Sequence, residues 1–291
     1  MRTQGVFYRK KNECCLGIEL CSEGLFAVLL EQGIVRYREL ISLEPIEQWP
    51  ATLWLYPQWL AQGLQEISQH LPRYQGYVSI NLPFDLVHHK VLSFEGEPKN
   101  SPDLFRRACH KSGIETDEHN LVRYARLAPD TRYQNAYLFQ VVALKHQIFS
   151  VLRQLCRVFK WHLIRLDLAA YSRARGWWAL SDAWPGQRAE LHVSKCVHGF
   201  EISLFLHKKL LDWRYFKNTD FTPVEQYLTQ LPVILARFPG VKLYQVRSLD
   251  PHMNQFLSRV NFPLSIMTKA GDWQEDCQLS AYGAAIGGVQ I

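Results

Sequence analysis

The side chains best suited to chemistry in this sequence are thiols, imidazoles and one serine at a strand end, and their spacing argues against their acting together. Seven cysteines stand at Cys14, Cys15, Cys21, Cys109, Cys156, Cys196 and Cys277. Their number is odd and no Cys-x-x-Cys pair occurs, which speaks against a disulfide framework and against a structural zinc site. They read as reduced, structural thiols. Among the histidines, His88 and His89 are adjacent in a strand-like run and point to opposite faces, so they cannot share a metal ion. No metal site is expected. Ser22 has no histidine near it in sequence and no nucleophile-elbow setting, so no catalytic triad is expected either.

Charge narrows the partners. Lys and Arg number 33 against 27 Asp and Glu, a net +6, and the basic residues are scattered apart from Arg9-Lys10-Lys11. A nucleic-acid surface needs a basic stripe interleaved with aromatics, so direct nucleic-acid binding is not expected. With 47% hydrophobic and 21% charged residues in 291, the chain is an ordinary globular protein long enough for two domains or a duplicated fold. No apolar run approaches the ~18 residues of a membrane span. Met1 to Asn12 is basic without the apolar stretch of a signal peptide, so the expected compartment is the cytoplasm.

The elements that must position these residues repeat. Three strand-like runs, Cys14 to Leu20, Leu25 to Glu31 and Ile34 to Ile41, predict an antiparallel meander. A helix follows, with Pro57 in its first turn and Leu60, Leu64, Ile67 and Leu71 on one stripe, then a strand from Tyr77 to Ile80. The same order returns at Glu190 to Val193, Phe200 to Leu206 and Leu210 to Tyr215. Thr222, Pro223 and Glu225 then mark a helix start, Pro232 should kink or split that helix, and Lys242 to Val246 is a strand. The offset between the two blocks is roughly 170 residues. Between them lie a strand at Leu86 to Phe94, a helix at Pro102 to Lys111 capped by Ser101 and stopped by Gly113, and strands at Leu121 to Leu127 and Ala136 to Leu144. A helix carrying Ile148, Leu152 and Leu155, a strand from Trp161 to Leu166 and a helix opened by Asp167 complete the first lobe. Arg175 to Trp178 through Trp184-Pro185-Gly186 is the expected linker.

This α/β layout, a duplicated β-β-β-α-β-α unit with a β-α-β-β insertion in the first lobe, is that of the actin and sugar-kinase ATPase superfamily, with its paired ribonuclease-H-like lobes. Within it the chain resembles the PilM-like type IV pilus assembly proteins. That family opens with Leu-Gly-Ile-Asp-Ile-Gly-Ser, and here the stretch is Leu16-Gly17-Ile18-Glu19-Leu20-Cys21-Ser22. Agreement continues at Asn81-Leu82-Pro83, Val141-Val142-Ala143-Leu144-Lys145, Leu166-Asp167-Leu168-Ala169-Ala170 and Tyr282-Gly283-Ala284-Ala285-Ile286-Gly287. The implied domains are 1–81 with 147–176 as first lobe, 82–146 as inserted subdomain and 187–291 as second lobe.

The resemblance implies a nucleotide cleft between the lobes, at Glu19, Cys21, Ser22, Asp167, His192, Ser194, Lys195 and Gly283. The first hairpin would approach phosphates through backbone amides, with Glu19 holding magnesium through water. Cys21 replaces the glycine that permits that approach. His192 and Ser194 stand where the second hairpin should offer Asp and Gly, although Lys195 can stand in for metal charge at a phosphate. Arg247-Ser248-Leu249-Asp250 replaces the glycine pair of the adenosine loop. The expectation is a degenerate site without a cofactor, ATP with magnesium being the alternative. Each residue also has a structural reading: Glu19 as a solvated carboxylate, Asp167 as a helix cap, His192 as a satisfied histidine and Gly283 as part of a closely packed helix.

By the same resemblance the partner is a PilN-like inner-membrane protein, whose N-terminal cytoplasmic peptide would lie between the first lobe and its insertion. Phe84, Phe105 and Arg106 are the expected peptide contacts, and membrane association is indirect. The implied role is a scaffold of a type IV pilus or DNA-uptake (competence) machine rather than an enzyme. An active ATPase or kinase is the alternative. A GspL-like secretion protein, the third possibility, would be expected to continue into a membrane helix.

Overall fold

The computed structural model describes residues 14–21, 23–44, 57–130, 132–133, 135–180, 188–196, 199–217, 221–236, 238, 242–259, 265–267 and 276–289. Ser22, Arg9-Lys10-Lys11 and Trp184-Pro185-Gly186 lie outside the described residues.

Strands β1 (Cys14–Cys21), β2 (Gly24–Glu31) and β3 (Ile34–Ser42) form the antiparallel meander. The second hairpin turns on Gln32 and Gly33, at φ 50° and 81°, a left-handed pair whose twist suits a two-residue loop. Helix α1 (Pro57–His70) buries Trp59, Leu60, Leu64 and Ile67, and β4 (Tyr77–Leu82) returns parallel to β1. A short turn of 3-10 helix, Phe84–Leu86, leads into the insertion: β5 (Val87–Glu95), α2 (Pro102–Lys111), β6 (Asn120–Pro129) and β7 (Ala136–Lys145). These strands make their own sheet in the order β5-β7-β6. Gly113, at φ 75°, ends α2, whereas Ser101 adjoins its start without a side-chain capping bond.

Helix α3 (His146–Val158), β8 (His162–Leu168) and α4 (Ala169–Ala179) close the first lobe, whose sheet runs β3-β2-β1-β4-β8. The second lobe repeats it with β9 (Arg188–Cys196), β10 (Gly199–Leu206), β11 (Lys209–Phe216), α5 (Thr222–Leu235), β12 (Lys242–Arg247), α6 (Pro251–Arg259) and β13 (Ser265–Met267), in the order β11-β10-β9-β12-β13. The left-handed pair recurs at His207 and Lys208, φ 50° and 60°.

Three expectations are corrected. Arg175 to Trp178 is helical, and α4 buries Trp177 where a linker was expected. Helix α5 runs through Pro232 without being split, although a proline there donates no hydrogen bond. Helix α7 (Asp276–Val289), placed by sequence in the second lobe, packs on β1, β2 and α4 of the first. Its side chains Leu279 and Ala281 join Phe26, Val28 and Trp177 in one cluster.

Glycine makes that docking possible. A Cβ on Gly17 of β1 would fall 2.1 Å from the Ala281 carbonyl oxygen, and one on Gly283 of α7 would fall 1.7 Å from that of Ser172. Both obstacles are backbone and cannot swing aside. Gly283→Ala is therefore expected to cost about 3 kcal/mol of unfolding free energy, an overpacking penalty at the upper end of its range. Gly33→Ala, at φ 81° with nothing within 4 Å, should cost only about 1 kcal/mol, from backbone conformation alone. Urea unfolding followed by tryptophan fluorescence compares the two.

Candidate functional site

The register of the first sheet sets a row of polar residues abreast where its parallel strands end: Glu19 on β1 pairs with Asn81 on β4, which pairs with Asp167 on β8. In an α/β sheet this is the edge at which ligands sit. In the second sheet His192 on β9 pairs with Arg247 on β12.

Glu19 is not solvated. It is 6% exposed and lies beneath α7, where the Ser280 hydroxyl donates to it at 2.7 Å. Asn81 donates to the Ser280 carbonyl and hydroxyl oxygens, each at 2.9 Å, and accepts from Ser172 at 2.5 Å. Burial pushes the Glu19 carboxyl up to about 7, against the Arg173 charge and the bonds from Ser280 and Asn81. Arg173, buried on α4, donates to Glu201 at 3.0 Å and lies 3.8 Å from Asp276 at the start of α7. Burial raises Asp276 to about 6, opposed by Arg173, the Lys195 amide and the Ser194 hydroxyl. Ser194 and the Lys195 backbone thus hold the start of α7, while the Lys195 side chain is exposed and reaches Asp250, 3.5 Å away.

A second network is centred on Glu190, fully buried on β9. It accepts from Arg247 at 3.0 Å, Trp178 at 3.1 Å and His192 at 3.2 Å. Burial would raise Glu190, but the His192 bond, the Arg247 charge and the Trp178 bond outweigh it and hold the carboxyl down at about 2. His192 is pushed down to about 4, chiefly by burial, and stays neutral at neutral pH. Asp167 does not cap α4 through its side chain; it lies within β8 and pairs with Arg175 and, at 3.8 Å, with Arg165. Cys21 is half-buried against the α7 cluster, and Gly283 lies on the Ser172 carbonyl rather than facing a phosphate-sized space. Among the described residues no group of three or more His, Cys, Asp or Glu could hold a metal ion. Arg173, Glu201, Arg247, Asp276 and Ser280 were not foreseen as site residues.

A separate concavity of about 580 Å³ opens between the first lobe and the insertion. Leu163, Ile164, Arg165, Leu166, Asp167 and Leu168 of β8 all line it. Successive strand residues face opposite ways, so a space touched by six in a row lies along the strand's edge. β8 is the last strand of its sheet, and β6, whose Leu121, Arg123, Tyr124 and Ala125 form the opposite rim, is the last of the other. Val142 and Leu144 of β7 and Phe149 of α3 supply apolar wall.

The three expected peptide contacts lie elsewhere. Phe105 is in the core of the insertion, edge-on to Phe94 at 5.5 Å, on the sheet face that carries Phe139 and Val141. The groove uses the alternate residues Gln140, Val142 and Leu144, hence the other face. Arg106 is exposed on α2, 3.7 Å from Asp103. Phe84 packs edge-on against Trp213 at 5.0 Å and stacks on Tyr215 at 6.2 Å, in the second lobe.

Two five-stranded sheets of the same order, a helix crossing back from one lobe to the other and a sheet inserted in the first define an actin-like fold. Solved structures agree. A chain of the PilM-PilN type IV pilus biogenesis complex matches with a TM-score of 0.66 at 16% identity, over 96% of this chain and 99% of that one. The cytoplasmic domain of EpsL, an inner-membrane component of the type II secretion system of Vibrio cholerae, matches at 0.51 and 14% identity, over 93% and 94%. A Bacteroides thetaiotaomicron protein with actin-like ATPase fold and unknown function matches at 0.50 and 13% identity, over 94% and 98%. The chain is thus PilM-like in fold. No protein-family model and no curated protein sequence matches it, and among the described residues no helix is long and apolar enough to cross a membrane.

The raised Glu19 carboxyl has a measurable consequence. Between its ordinary value of 4.5 and about 7 the folded chain holds a proton that the unfolded chain has released, so this group's contribution to stability falls as pH rises through that window. Glu19→Gln cannot ionise and still accepts the Ser280 hydroxyl. It is expected to match the parent in stability below about pH 4.5 and to exceed it by on the order of 2–3 kcal/mol above about pH 7. Urea unfolding across a pH series measures the difference, from which groups common to both proteins cancel.

Proposed function

We propose that this chain is a scaffold of a type IV pilus or related secretion or DNA-uptake machine, and that it holds an extended peptide of a partner in the groove between the first lobe and the inserted sheet. The observation that carries this reading is the groove itself, which runs along the open edge of β8 with apolar walls. A strand edge offers main-chain donors and acceptors, and flanking pockets take alternate side chains, the two requirements for strand-like capture. The likeness to a chain of the PilM-PilN complex supports a PilN-like partner; on this reading the engaged segment is that partner's N-terminal cytoplasmic peptide. On this reading the protein sits in the cytoplasm, peripheral to the inner membrane through that partner, and does not bind nucleic acid directly.

The interlobe residues support a scaffold rather than a turnover enzyme. Phosphoryl transfer requires acidic groups free to hold a metal and a backbone open to phosphate. Here Glu19 is occupied by Ser280, Asp276 and Glu201 face Arg173, and Glu190 faces Arg247. The protein should accordingly show no ATP turnover above background in a steady-state assay; turnover that vanishes in Glu19→Ala with the fold intact would promote the ATPase reading instead.

Binding is tested by calorimetry with a synthetic peptide of the N-terminal cytoplasmic segment of the PilN-like protein encoded beside this chain's gene. Leu121→Asp puts a charge on the half-exposed rim of the groove and is expected to weaken binding by at least about 10-fold with little change in melting temperature. Arg106→Glu, on α2 away from the groove, should bind as the parent does. Equal affinity in all three proteins would place the peptide elsewhere. Phe105→Asp is unsuited to this comparison because it charges a core position.

A further inference from the structure

Gln140 lies midway along β7, the central strand of the inserted sheet, and is 5% exposed in the wall of the groove. Its carbonyl oxygen accepts from the Tyr171 hydroxyl at 2.9 Å, and the Tyr171 oxygen accepts the Leu210 amide of the second lobe, also at 2.9 Å. With that amide directed at its oxygen, Tyr171 has one proton to give, and Gln140 supplies the acceptor. This fixes the orientation of the Gln140 amide: Oε1 toward Tyr171, Nε2 away from it. The Nε2 donor has no hydrogen-bond partner. Buried donors are nearly always paired, and one left over calls for an explanation. The Tyr171 bond explains the carbonyl oxygen of Gln140 but leaves its NH2 group unexplained.

We infer that Gln140 is a specificity-determining residue of the groove, its Nε2 donating to an uncharged carbonyl oxygen of the extended chain bound along β8. The inference rests on the peptide-binding reading above and adds to it the group that reads the ligand. The acceptor can be a main-chain carbonyl or the side-chain carbonyl of Asn or Gln, since both present the same oxygen. Tyr171 holds the amide in place before the ligand arrives, so little side-chain freedom is lost on binding. The apolar walls recognise bulk, whereas this one donor discriminates by position, because an apolar group opposite it leaves the NH2 unsatisfied.

The test is calorimetry with the same synthetic peptide in three forms: unmodified, with single main-chain amides replaced by esters, and with Asn or Gln side chains replaced by Leu. Each is titrated into the parent, Gln140→Leu and Gln140→Met. The unmodified peptide is expected to bind both variants about 10-fold more weakly than the parent. One modification should weaken binding to the parent by a similar factor and cost nothing further in the variants, an ester identifying a main-chain acceptor and a Leu a side-chain one. The free variants, which leave the Tyr171 hydroxyl without its Gln140 acceptor, should remain folded and melt a few degrees below the parent. Variants that bind as tightly as the parent, or modifications that cost the same in all three proteins, overturn the assignment while leaving peptide binding intact. No heat with the parent itself overturns both readings.

Discussion

The close seating of α7 on β1 and α4 is the constraint on which the rest of the molecule depends. The helix starts from the second lobe, where the Lys195 amide and the Ser194 hydroxyl hold Asp276, and ends packed on the first. Gly17, Gly176 and Gly283 remove the three Cβ atoms that would keep the backbones apart. Ala281, Ala284 and Ala285 are small for the same reason. Because the approach is so close, Ser280 can reach both Glu19 and Asn81, and water is kept from the carboxyl beneath. Helix α7 thus links the lobes and closes over Glu19.

Burying that many charges carries a desolvation penalty, and the two networks answer it differently. Glu190 meets a full complement of donors in Arg247, Trp178 and His192, so ionisation is favoured and the pair behaves as a closed unit. Glu19 meets the Ser280 hydroxyl, the Asn81 amide and a guanidinium that Glu201 and Asp276 already share, which do not offset its burial, so protonation offers the easier escape. Removing one member of either network would strand its partner, which is why buried ion pairs specify geometry more surely than they add stability. The Glu19 network also links the lobes, through the Arg173–Glu201 pair at 3.0 Å.

Much of the fold was legible in the sequence, because each meander announces itself by short apolar runs broken at turn residues, and the repeat of that order is itself the fold. What misled was local chemistry with a tertiary purpose. Gly176 among aromatics reads as a linker, yet it is a helix position left bare for Leu279 of α7. Pro232 reads as a break, yet packing carries α5 through it. The candidate site was half legible: Glu19 stands in a recognisable strand signature, but Ser280, which donates to it, lies 261 residues away. Arg173 sits in a helix of small and aromatic residues that carries a second arginine, Arg175, and nothing in its neighbourhood names Glu201 as its partner. Phe105 was misassigned because an apolar helical stripe looks the same whether it faces a ligand or the sheet beneath.

The groove stays open for a reason that follows from how the insertion is held. One side of its sheet is covered by α2, and one end of its strands is fastened to the second lobe by Leu127 and Leu138 in that lobe's core and by Lys209, which donates to the Arg126 and Leu127 carbonyls at 3.2 and 3.1 Å. Its near end continues into the first lobe through Leu86, Val87 and Leu144. Held at both ends, the sheet cannot fold down onto β8, although apolar walls on each side would favour collapse. The two strand edges consequently remain separated by the width of the concavity, and the Gln140 donor remains in its wall.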